Sequence, residues 1–167
     1  MTVRRVAIIG GNRIPFARSN GAYVNVSNQD MLVAALNGLI ERFNLQGKRM
    51  GEVVAGAVLK HSRDFNLTRE AVLSTSLAPE TSAYDIQQAC GTGLEAAILV
   101  ANKIALGQIE CGIAGGVDTT SDAPLGVKTL GHFLHALRDM GLGHVEQLRV
   151  QHEVLPYREL AIERKRL

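Results

Sequence analysis

Short apolar runs alternate along this chain with longer amphipathic stretches, and that alternation leaves few folds open. Arg5–Ile9, Val53–Leu59, Ala83–Gln87 and Cys111–Ala114 are each short and continuous, as strands buried on both faces should be, and the first and last run straight into paired glycines. Between them lie helical patterns. Ser27 is a good N-cap with Asp30 in the first turn, and Leu32, Ala35, Leu36, Leu39, Ile40 and Phe43 keep the spacing of one buried face until Asn44 and Gly47 end it. A second helix is predicted over Asn66–Ser76, capped by Asn66 and closed off by Pro79. A third follows Cys90, with Leu94, Ala97, Ile98, Ala101 and Ala105 as its buried face and Gly107 as its stop. Strands alternating with helices imply right-handed parallel crossovers: four strands, mainly parallel, with helices on both faces of the sheet.

The stretch Asp85-Ile86-Gln87-Gln88-Ala89-Cys90-Gly91-Thr92-Gly93-Leu94-Glu95-Ala96 places a thiol between a strand and the first turn of a helix. A thiolate there faces unpaired backbone N–H groups and the positive end of the helix dipole, which lower its pKa. Gly91 and Gly93 let a substrate carbonyl approach without meeting a Cβ. A buried structural cysteine in a tight turn is the competing reading of the same residues. Cys111 lies inside an apolar run, and a packing role is expected for it.

Cys90 and its glycines, the early Gly11-Asn12-Arg13-Ile14-Pro15-Phe16, the Gly56-Ala57-Val58-Leu59 run with Asn66-Leu67-Thr68-Arg69, and Gly115-Gly116-Val117-Asp118-Thr119-Thr120-Ser121-Asp122-Ala123-Pro124 stand in the order used by thiolases. From Val3 to Gly126 the chain resembles the amino-terminal part of that family of acetyl-CoA C-acyltransferases. Gln88 replaces an Asn common in the family, and Asp118 a Glu. The resemblance implies a layered α/β fold of which this chain holds the first half, residues 1–126, followed by a helical tail without recognised motif, 127–167. It implies that Cys90 is the nucleophile that takes an acyl group from a coenzyme A thioester, as substrate, with no bound cofactor. It also implies a homo-oligomer, or a second chain supplying what is missing. The family's later Asn-rich, Gly-His-Pro and Cys-x-Gly segments have no counterpart here: Phe133 and Val145 follow Gly131-His132 and Gly143-His144 where proline would stand. No catalytic role is carried to those histidines. An acyltransferase lacking its later-half groups and a catalytically silent thiolase-like binding module both remain open, and a stand-alone cysteine hydrolase using His61 or a tail histidine has no motif behind it.

Composition narrows the class. With 167 residues, 46% of them hydrophobic, and 17 glycines, one compact α/β core is expected. Two cysteines offer no disulfide framework, and neither CxxC nor HxxxH occurs, so a reduced, metal-free, cytoplasmic protein is expected. A net charge of +2 is too small to argue for nucleic acid, and the basic Arg158–Arg166 stretch reads as a solvated tail. Val6–Ile9 is too short for a signal-peptide core, and no segment reaches membrane-spanning length. Gly10-Gly11 lacks the Gly-x-Gly-x-x-Gly pattern of a dinucleotide loop. In the tail, Leu130 to Met140, Val145 to Val154 and Tyr157 to Leu167 read as three further helical stretches.

Overall fold

The computed structural model describes residues 3–123; the helical readings of residues 130–167 lie outside them. In chain order the described residues form α1 (Asn28–Phe43), β1 (Glu52–Ala55), a 3-10 turn (Ser62–Asp64), α2 (Leu67–Leu73), β2 (Ala83–Asp85), α3 (Thr92–Ala105) and β3 (Gly112–Ala114). The three strands make one parallel sheet in the order β2-β1-β3, with Val53 beside Ala83 and Ile113. β1 is the centre, and its side chains alternate between two cores. Val53 and Ala55 face α1 and α2, packing with Leu32, Leu36, Ile40, Leu67, Ala71 and Val72. Val54 faces α3, packing with Ala96 and Val100. Helices therefore cover both faces of a parallel sheet, as the alternation predicts.

α1 begins where its cap dictates. Ser27 and Asp30 form a capping box, and the Ser27 hydroxyl holds the Asp30 carboxyl below its usual value. Asn44, in the left-handed region at φ 52°, ends the helix. α2 is shorter than the sequence predicts, and Asn66 precedes it without a side-chain cap bond. Asp85 of β2 takes that role: its carboxylate accepts the N–H groups of Leu67 (3.1 Å) and Thr68 (2.7 Å) and pairs with Lys60 at 2.8 Å. On the other sheet face Lys103 of α3 holds buried Glu52 at 2.6 and 2.7 Å and stands over the Tyr84 ring, and the Glu52 hydrogen bond raises the Lys103 pKa.

Three expectations are corrected. Arg5–Ile9 is not a strand: residues 3–18 carry no regular structure, and Ile8 and Ile9 are 92% and 86% exposed. A strand exists only through its ladder partner, and among the described residues this run finds none, so the sheet has three strands rather than four. The buried face of α3 is Thr92, Ala96 and Val100, whereas Leu94 and Ile98 are 69% and 44% exposed. Both faces of this helix are apolar, so periodicity alone could not choose between them. Cys111 precedes β3 instead of lying within it, and its residue is exposed, because the edge strand is only three residues long.

Candidate active site

The carboxyl ends of the three strands open into loops that meet at the start of α3. Gly115 N–H bonds Val54 C=O (2.9 Å), Val117 N–H bonds Gly56 C=O (3.0 Å), and Ile86 N–H bonds Ala55 C=O (2.9 Å). A Cβ on Gly56 would collide with the Ile86 carbonyl, and one on Gly116 would stand 3.2 Å from the Gly56 carbonyl and 3.7 Å from the Gly93 nitrogen. Only hydrogen fits at Gly56, and that is why the three loops can lie this close to the helix. Asp118 fixes the arrangement from outside, accepting the N–H groups of Val58 (2.9 Å) and Leu59 (3.0 Å).

Cys90 stands at this convergence, exposed, immediately before the Gly91 N-cap of α3. Gly91 has no side chain with which to cap the helix, and the first helical N–H, that of Thr92, bonds the Ala89 carbonyl at 3.2 Å. The Gln88–Gly91 turn is closed by Gly91 N–H to Gln88 C=O at 2.9 Å. At its first central position Ala89 is held in the left-handed region at φ 44°. That conformation costs a residue with a Cβ about 1–3 kcal/mol and persists only where its surroundings enforce it. Thr92, 6% exposed, lies directly beneath: its hydroxyl accepts from Gln88 N–H (2.9 Å) and donates to Ala89 C=O (2.8 Å).

His61 is the one histidine among the described residues, and it is not paired with the thiol. Its Nε2 meets the Asp122 carbonyl at 2.8 Å and carboxylate at 3.2 Å, and Arg63 closes on the same carboxylate. A cavity of about 750 Å³ lies between the 12–19 segment, α1 and the 116–121 loop, with Arg13, Phe16, Met31 and Asp118 among its walls; Cys90 does not line it. Cys90 stands where the sequence puts it, between a strand and a helix, whereas the approach of Gly56 and Gly116 to the start of α3 is not read from the sequence. The left-handed Ala89 and the Thr92 hydroxyl do not announce themselves in the sequence, since neither Gly nor Asn marks the turn.

The family model described as the N-terminal domain of thiolase matches residues 6–149. The chain belongs to the thiolase family. Its match runs beyond Gly126, the limit of the motifs read from the sequence. Over 131 residues the chain is 41% identical to a 3-ketoacyl-CoA thiolase of Shewanella sp. (strain ANA-3), covering 78% of this chain and 30% of that protein. A 3-ketoacyl-CoA thiolase of Shewanella loihica is 40% identical over the same length. The crystal structure of the Bacillus anthracis acetyl-CoA acetyltransferase superposes with a TM-score of 0.69 at 28% identity, over 74% of this chain and 31% of that one. This member of the thiolase family thus spans about a third of the length of the relatives it matches, within an α/β fold they share. No helix among its described residues is long and apolar enough to cross a membrane.

Proposed function

We propose that this chain carries the acyl-accepting thiol of a thiolase-type acyltransferase, with Cys90 as the nucleophile and a coenzyme A thioester as substrate. One observation carries the reading: Cys90 is exposed on a strained turn, immediately before an N-cap residue that has no side chain to cap α3. The Cys90 thiolate attacks the acyl carbonyl, and the oxygen that gains negative charge is stabilised by N–H donors. The bond from acyl carbon to coenzyme A sulfur then breaks as the bond to Cys90 Sγ is retained, and the coenzyme leaves as thiolate and takes up a proton. One thioester replaces another, so neither an oxidant nor a metal enters the balance. The acyl group held on Cys90 passes to a second acceptor, either free coenzyme A in thiolysis of a 3-ketoacyl thioester or a carbon nucleophile in condensation.

Acid–base groups for turnover come, in this reading, from another chain in the cytoplasm. A silent binding module is the second reading, and one observation favours it: His61 directs its Nε2 at Asp122. The test is alkylation by iodoacetamide at neutral pH with peptide mapping. Faster modification of Cys90 than of the likewise exposed Cys111 is expected; equal rates would remove the chemical distinction on which the reading stands.

A further inference from the structure

We propose that Thr92 is a positioning residue that holds Ala89 in the left-handed region and thereby presents the Cys90 thiol. The proposal rests on the reading of Cys90 as nucleophile and adds what keeps it aimed. Primed turns place Gly, Asn or Asp at the first central position, because those residues reach positive φ at least cost. Here that position holds Ala89 at φ 44°, with Gly91 N–H closing the turn on Gln88 C=O at 2.9 Å. An alanine left to itself relaxes to negative φ. One atom ties the peptide group before Gln88 to the one after Ala89, bracketing the two residues: the Thr92 Oγ1 accepts from Gln88 N–H at 2.9 Å and donates to Ala89 C=O at 2.8 Å. Thr92 N–H adds a second bond to the same carbonyl at 3.2 Å. Because Thr92 is 6% exposed, water cannot readily substitute for its hydroxyl. The residue also opens α3, so the clamp joins the turn to the rigid helix.

The test uses the chain as it is and reads the ratio of Cys90 to Cys111 alkylation by iodoacetamide, with Cys111 reporting any general loosening. Thr92→Val keeps the side-chain shape and removes both hydroxyl bonds. The Cys90:Cys111 ratio is expected to fall about tenfold, the scale set by the cost of a left-handed alanine. Thr92→Ser keeps the hydroxyl and is expected to keep the parent ratio, which provides a milder variant if Thr92→Val does not fold. Adding Ala89→Gly to Thr92→Val is expected to restore most of the loss, because glycine reaches positive φ without help. A purely structural threonine would lower the unfolding midpoint without such a rescue. An unchanged ratio in Thr92→Val, an equal fall in Thr92→Ser, or no rescue by Ala89→Gly would each overturn the role of Thr92. A parent ratio near one would instead overturn the nucleophile reading, and the positioning role with it.

Discussion

The carboxylate of Asp85, on β2, accepts the backbone N–H of Thr68 at the start of α2 at 2.7 Å. A second bond to Leu67 and the ion pair with Lys60 make one side chain the joint between sheet, helix and the loop after β1. Asp85→Ala leaves two helix-start donors and a part-buried ammonium without their partner. A loss of about 2–4 kcal/mol in unfolding free energy is expected by urea titration. Asp85→Asn retains one oxygen acceptor and should lose less. A change below the error of the titration would show that Asn66 or water caps α2 instead.

Acid should weaken the His61–Asp122–Arg63 cluster. The Arg63 hydrogen bond, then the charges of Arg63 and His61, hold the Asp122 carboxyl below its usual value of 3.8. A depressed folded-state pKa contributes stability that is fully present above the unfolded value and disappears as pH falls through the folded one. The denaturation midpoint of the parent should therefore drop as pH falls below the usual carboxyl value, and Asp122→Asn should flatten that limb while lowering the plateau at neutral pH. Identical acid limbs in parent and variant would assign the loss to other carboxylates.

Leu94 and Ile98 form an apolar face on α3 that the sheet does not cover. Exposed apolar surface of this kind favours association, and Ile8, Ile9 and Phe16 add to it elsewhere on the chain. Sedimentation velocity should show mass rising with concentration, and Leu94→Lys with Ile98→Lys should reduce that rise without unfolding the sheet. A monomer at every concentration would contradict the expectation.

What the sequence reveals depends on how local the cause is. α1 is legible to the residue because Ser27, Asp30 and Asn44 fix its ends within a few positions of themselves. The strand at Arg5–Ile9 is not, because pairing is a property of two segments and only one of them is in the pattern. α3 is legible as a helix and misleading as a surface: Leu94 and Ile98 repeat with the same period as Ala96 and Val100, and only the packing of Val54 shows which set the sheet takes. Asp85 caps a helix whose Thr68 lies 17 positions earlier, a distance over which no capping motif operates. At the site, the position of Cys90, followed by Gly91 and Gly93 at a strand-to-helix junction, is legible from the sequence. Its support, an alanine forced to positive φ by a threonine three residues on, is ordinary residues in an unusual geometry.

The central claim is that Cys90 accepts an acyl group, and the most direct measurement is incubation with acetyl-CoA followed by acid quench, digestion and mass mapping. The account predicts slow acetylation of the peptide that contains Cys90, none at Cys111, loss of the label in Cys90→Ala, and negligible thiolytic turnover of acetoacetyl-CoA by this chain alone. Acetyl groups on Cys111 at an equal rate, or none on Cys90 at all, would contradict it.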